Sequence, residues 1–262
     1  MNRRSRIRLS SILISALCVL AAIALPTRGD AQHRQNAHGF SMTYPGALAV
    51  GVFGGGTATF GSAGPTGACD CVFDGGSGMA YTTGLALDIF MNPAFALRVQ
   101  GLYEVHAATY TLDKTANLFA SNGSPVSAVA ERRATTENNY FATSLQVVWF
   151  TGLSNLYLSA GAGASFHSGG TVKDEETLKT PGVFYGVGSN HVVFHDGDLD
   201  KIATPATRAS LMLGLGFDIP IARGFALAPE AQFDIPLTSV TDEVADWKTM
   251  VLRFGVVARF GI

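Results

Sequence analysis

The feature that most constrains this chain is a period of two. From Leu48 to the end, apolar residues alternate with small, polar or charged ones in eight segments of about ten residues, at 47–58, 79–90, 95–109, 140–151, 156–168, 206–219, 225–238 and 247–262. Such alternation marks a strand with two unlike faces, and a tilted strand of that length crosses a bilayer. The apolar residues alone set the phase: Met250, Leu252, Phe254, Val256, Ala258, Phe260 and Ile262 share one face of the last segment, and Leu211, Leu213, Leu215 and Phe217 one face of the sixth. The charges then give an independent test. Apart from Lys248 at a rim, the nine charged residues in these spans, Asp88, Arg98, Glu104, Arg208, Asp218, Glu230, Asp234, Arg253 and Arg259, all fall on the face opposite the apolar one. A charge on a lipid-facing strand costs about 2–4 kcal/mol at mid-depth. The apolar face is therefore the outside, whereas a soluble barrel with an apolar pocket would show the reverse phase.

The connections alternate between tight and long. Met91–Ala94, Gly152–Asn155 and Pro220–Gly224 are turns rich in Pro, Asn and Gly, the residues turn geometry favours. The other connections cover 61–78, 110–139, 169–205 and a shorter 239–246. Short turns on one side and longer loops on the other, with an even strand count, put both termini of an outer-membrane barrel on the periplasmic side. Outward aromatics gather near strand ends: Phe95, Trp149, Phe217, Phe225 and Phe260 on the turn side, Tyr81, Phe141 and Phe166 on the loop side. That is the pattern of two interfacial girdles.

The N-terminus assigns the compartment. Arg3, Arg4, Arg6 and Arg8 precede an apolar run from about Ile12 to Pro26 that is short for a membrane span, and Gly29 and Ala31 supply small residues at a cleavage site. Residues 1–31 read as a secretory signal peptide, 32–46 as a short periplasmic lead and 47–262 as the barrel domain. Cleavage would remove five of the 18 Lys+Arg and one of the 20 Asp+Glu, leaving 13 against 19 and a formal charge of −6. That balance excludes nucleic acid as a partner, which needs a basic face. Beyond residue 31 there is no apolar run long enough for a transmembrane helix.

The fold class expected is all-β: an eight-stranded antiparallel transmembrane β-barrel with up-and-down meander topology, following a cleaved signal peptide. In Leu48–Ile262 the sequence resembles the small outer-membrane β-barrels similar to the transmembrane domain of outer-membrane protein A. The resemblance rests on the glycine-rich stretch Gly51–Gly56, on Leu227-Ala228-Pro229-Glu230-Ala231 and on the C-terminal Ala258-Arg259-Phe260-Gly261-Ile262. It implies envelope integrity, surface contact or adhesion through the long loops, with outer-membrane lipid, the assembly machinery and an unknown extracellular ligand as partners. Many relatives end on an aromatic residue that assists assembly; here Phe260 lies two before the end.

An eight-stranded barrel is just wide enough for side chains to fill it. The nine inward charges, together with Gln100, Gln146 and His106 near Glu104, are expected to form a lumen polar core that blocks bulk flow. Turn geometry sets Asp88 opposite Arg98 and Asp234 opposite Arg253 as cross-strand pairs. A narrow ion path lined by the same charges is the competing reading. A lipid-modifying enzyme would need a His with a nearby Ser at the outer rim. His167 and Ser168 are adjacent, and adjacent strand residues point to opposite faces. No catalytic residue, metal or cofactor is assigned. Cys69 and Cys71 in the first long loop allow a strained local disulfide, free thiols or intermolecular pairing. His195-Asp196-Gly197-Asp198-Leu199-Asp200 lacks the carboxylate a calcium loop wants further along and reads as a solvated acidic turn. Val183–Val187 and Val192–His195 read as a hairpin above the membrane.

Overall fold

A computed structural model describes residues 48–63, 73–119, 123–151, 155–185, 188–201, 204–241 and 247–262. The expected signal peptide, the lead at 32–46 and Cys69 and Cys71 lie outside the described residues. Among the described residues ten strands form: β1 Leu48–Ala63, β2 Phe73–Asn92, β3 Phe95–Phe119, β4 Pro125–Phe150, β5 Leu156–Leu178, β6 His191–Asp198, β7 Arg208–Phe217, β8 Ile219–Ala222, β9 Phe225–Pro236 and β10 Lys248–Gly261. Eight of them close an antiparallel ring in the order β1, β2, β3, β4, β5, β7, β9, β10 and back to β1. Closure leaves no sheet edge within hydrocarbon, where an unpaired backbone group costs several kcal/mol. β8 continues the line of β7 after a break at Asp218, whose amide donates instead to the Asn155 carbonyl at 3.0 Å.

Local chemistry sets the tight turns. The Asn92 side-chain carbonyl accepts from the amides of Ala94 and Phe95 at 2.8 and 2.9 Å, an Asx turn that reverses β2 into β3. Gly224 takes φ +74° between β8 and β9, a conformation glycine adopts without steric cost.

The strands on one side of the ring run far beyond a bilayer. β3, β4 and β5 have 25, 26 and 23 residues, where a tilted span needs about 9–11. Much of what the sequence assigned to loops at 110–139 and 169–205 is therefore strand. β3 and β4 stay paired to Phe119 and Pro125, and β4 and β5 to Ala130 and Leu178. Loop periodicity failed there because the apolar signal disappears once an outward face leaves lipid. The expected hairpin is also corrected: Val192 and Val193 lie in β6, which pairs with Glu176 and Glu175 of β5 rather than with 183–187. The edge of β5, left free above β7, is the longer template.

A bulge controls which face β5 presents. Tyr140 pairs with His167 and Asn139 with Gly169, so Ser168 is the extra residue. Gly169 takes φ +147° there, a region side chains avoid. The inward set consequently switches from odd positions through His167 to even positions from Gly170 onward, and Ser168 is left exposed.

Candidate functional site

The outer surface places the molecule against lipid. Leu85, Val99, Leu145, Leu213, Leu215, Phe254 and Val256 are exposed on the ring's outside. An upper aromatic row crosses neighbouring strands: Tyr103 pairs with Phe141 and Phe141 with Phe166, and the Tyr81 and Tyr103 rings lie 6.3 Å apart. On the lower side Phe95 pairs with Trp149, Leu156 with Phe217, and Phe225 stacks on Phe260 at 4.8 Å. Phe95 and Tyr103 are eight residues apart on β3, about 26 Å along a strand, which at a tilt of about 40° rises about 20 Å, most of the ~25 Å apolar band. Val105, which the alternation along β3 would turn outward, is buried instead. It lies where the β2–β3 ladder lapses between the pairs Ser77–Thr109 and Thr82–Glu104, and its carbonyl accepts from the Thr57 hydroxyl at 2.6 Å.

Inside, the nine charged residues named from the sequence are each at most 5% exposed. They form two clusters. In the lower one, Arg98 binds Asp88 through Nε at 2.6 Å and Nη2 at 3.1 Å, and Glu230 through Nη1 at 2.6 Å. Arg259 sits 3.1 Å from Asp88 and donates to Asp218. Tyr157 donates its hydroxyl to Glu230 at 2.5 Å, and its ring lies beneath both guanidinium groups, 5.4 Å from Arg98 and 4.9 Å from Arg259. In the upper cluster Arg253 donates to Glu104 and, at 2.7 Å, to Asp234. His106 bridges Glu104 at 2.9 Å and Arg208 at 2.8 Å, and Arg208 also donates to the Thr249 carbonyl at 2.7 Å. Between the clusters, Gln146 donates to Gln100 at 3.2 Å and Ser144 at 2.9 Å.

Asp88 lies directly opposite Arg98. Asp234 does not lie opposite Arg253: its partner is Val251, and that of Arg253 is Gln232. The connection between β9 and β10 sets a register two residues from the one assumed. The long guanidinium still reaches Asp234 on the diagonal.

The sequence reading missed that the lumen is also apolar in layers. Phe53, Leu102, Val148, Tyr157 and Val257 are buried together around the lower cluster, with Phe90 and Phe150 against them. Phe73, Tyr110, Val172, Leu199, Val240 and Trp247 make a second apolar layer above the upper cluster. Neither Tyr157 nor Trp247 was assigned a face from the sequence. Their inward direction follows from parity once the strand register is fixed.

Above the membrane, β3, β4, β5 and β6 continue as a four-stranded sheet. Its outer face carries Thr111, Asp113, Thr115, Glu131, Arg133, Thr135, Glu137, Thr171, Lys173 and Glu175. Its inner face holds a buried Arg132–Asp174 pair, with the Phe194 ring 4.8 Å from the Arg132 guanidinium. Lys114 lies 2.5 Å from Glu176, which also accepts from Tyr185. Burial and this acceptor's charge push the Tyr185 hydroxyl well above its ordinary range. Ala128, Ala130, Leu178 and Val183 close the tip. His167 lies 3.7 Å from Asp200 and edge-on to Tyr140. Among the described residues, no group of three or more His, Cys, Asp or Glu is arranged to hold a metal.

A closed, even-stranded antiparallel ring with an aliphatic outside between two aromatic rows, short turns at one end and a tall sheet at the other, is a transmembrane β-barrel of the bacterial outer-membrane type. Neither a protein-family model nor a curated sequence matches the chain. Solved structures similar to it include Ail, the attachment invasion locus protein of Yersinia pestis, at 12% identity over 82% of this chain and 99% of that one, with a TM-score of 0.34. Neisserial surface protein A is similar at 11% identity over 83% and 98%, with a TM-score of 0.34. OprG of Pseudomonas aeruginosa is similar at 12% identity over 82% and 97%, with a TM-score of 0.36. Identities and scores this low bear on neither activity nor ligand. The fold class rests on the ring's own register and exterior.

Proposed function

We propose that this is a non-catalytic outer-membrane barrel whose lumen is a sealed structural core and whose work, surface contact or adhesion, is done by the sheet above the membrane. The observation carrying this reading is the continuation of β3, β4 and β5 far past the upper aromatic row, with full pairing to Phe119 and Pro125. A bare anchor would end its strands at the membrane surface. A rigid sheet with a polar, mixed-charge outer face holds side chains at fixed spacing for an extracellular ligand. The likeness to the transmembrane domain of outer-membrane protein A, and assembly through the C-terminal strand with Phe260 two residues before the chain's end, belong to the same proposal.

Replacing residues 111–133 by a two-residue Asn-Gly turn tests it. The truncated barrel should keep its heat-modifiable migration on a gel, while a non-adherent bacterial host displaying it loses attachment to cultured cell monolayers. Full attachment by the truncated protein rejects the proposal. The channel reading draws on the same inward polar residues, and planar-bilayer recording separates the two: a sealed lumen gives no unitary conductance, whereas regular single-channel steps would establish the pore.

A further inference from the structure

Between the two ion clusters the lumen holds a partly open cavity of about 10 Å³, the size of about one water molecule. Gln100, Ser165, Ser210, Asp234 and Arg253 stand on its wall. Three buried polar atoms of these residues have no hydrogen-bond partner: Gln100 Nε2, Asp234 Oδ1 and Arg253 Nη1. Their neighbours on the same side chains are engaged. Asp234 Oδ2 accepts from Arg253 Nη2 at 2.7 Å, Gln100 Oε1 accepts from Gln146 at 3.2 Å, and Arg253 Nε donates to Glu104. Buried polar atoms left single cost about 1–3 kcal/mol each, and more when charged.

We propose that this cavity is a binding site for a single water molecule. The water accepts from Arg253 Nη1 and Gln100 Nε2 and donates to Asp234 Oδ1 and to a wall serine, so its two donors and two acceptors are matched. The wall chemistry selects the ligand class. A cation would face two N–H donors, one of them on a charged guanidinium. An anion would face the Asp234 carboxylate, and an apolar guest would leave all three atoms unpaired. The water joins the Glu104–Arg253–Asp234 cluster to the Gln100–Gln146–Ser144 ladder, and the closure of the lumen at this height runs through it. The site is independent of what the extracellular sheet binds.

Crystals diffracting to about 1.8 Å should show one peak within about 3.2 Å of all three atoms. Empty density there, while other interior waters are visible, overturns the assignment, and so does an anomalous signal from a heavier ion. Gly163 gives a second test, because it lines the same cavity. A methyl group on it would lie 3.0 Å from Met212 Sδ, 3.1 Å from the Thr143 carbonyl and 3.4 Å from Ser210 Oγ. Gly163→Ala should expel the water, remove its density and lower the heat-unfolding midpoint by several degrees. A raised midpoint would mean that the methyl had filled an empty void, and the site would fall. Gln100→Met keeps the volume and removes the donor to the water together with the acceptor of the Gln146 bond, so the peak rather than the midpoint is read: it should vanish or move, and an unmoved peak counts against the site.

Discussion

The lower and upper halves of β3, β4 and β5 are continuous strands, with the β3–β4 ladder unbroken and the β4–β5 ladder stepped once at the Ser168 bulge, and they obey opposite rules outside. Below the row of Tyr103, Phe141 and Phe166, the outward residues include Leu97, Val99, Leu145, Val147, Leu158 and Ala162; above it they include Thr111, Asp113, Glu131, Arg133, Lys173 and Glu175. The β3–β4 backbone does not register the change. What changes is the solvent facing the same pleat, and with it the cost of a charge. The inner face shows a parallel contrast. In the lumen Arg98, Arg253 and Arg259 are each bound by two carboxylates and Arg208 by His106 and the Thr249 carbonyl, all out of water, whereas on the outer face of the sheet Arg133 and Lys173 are about half exposed in their ion pairs with Glu131 and Glu175.

The largest test of that contrast is Arg98→Ala. It leaves Glu230 without a guanidinium and Asp88 with Arg259 alone in the lumen and should cost about 3–5 kcal/mol, seen as a large fall in the midpoint of heat-induced loss of the folded gel band. A fall no greater than that for Arg133→Ala would erase the distinction between lumen and surface charges. Next comes a matched pair on one strand. Leu145→Arg on the lipid face should cost about 2–4 kcal/mol, and Thr135→Arg on the outer face of the sheet within about 0.5 kcal/mol. Equal costs would mean that the lipid boundary does not lie at Phe141. Smaller again is Gly169→Ala, about 1–2 kcal/mol from forcing a side chain to a positive φ at the bulge. Its signature is faster proteolysis of the sheet with the barrel band intact.

The smallest effect is pH dependence at the tip. A hydrogen bond from Lys179, with Arg133 nearby, holds the Glu131 carboxyl below the usual carboxylate range, and Lys173 does the same for Glu175. Both groups are more acidic folded than unfolded. Their contribution is therefore complete above the ordinary carboxylate range and fades as pH falls through the depressed values. Amide protection at 127–135, taken relative to the intrinsic exchange rate at each pH, should fall on acidification, and 0.5 M salt should weaken the effect because these pairs face water. An acid-insensitive tip would show that these pairs do not order it.

Much of the barrel was legible because each membrane strand carries two solvents on its two faces. Asp88 and Arg98 could be set against each other because a tight turn fixes register within a residue. Asp234 and Arg253 could not, since the connection between β9 and β10 is long enough to admit several registers, and the structure takes one two residues away. The tops of β3 to β5 were misread as loops because strands in water on one face show no apolar stripe. The Ser168 bulge was invisible for a related reason: a single extra residue changes parity without changing composition.

The sequence by itself determined that the chain crosses a bilayer as strands and which side chains meet lipid, because a misplaced charge in hydrocarbon is expensive at every position of an alternating pattern. The tertiary structure alone decided how the inward charges group into two clusters and that Tyr157 lies beneath two guanidinium groups. It also decided how far the sheet rises above the membrane. Those features depend on which residues closure of the ring brings together across the lumen, from strands as distant as β2 and β10, and no local period records that.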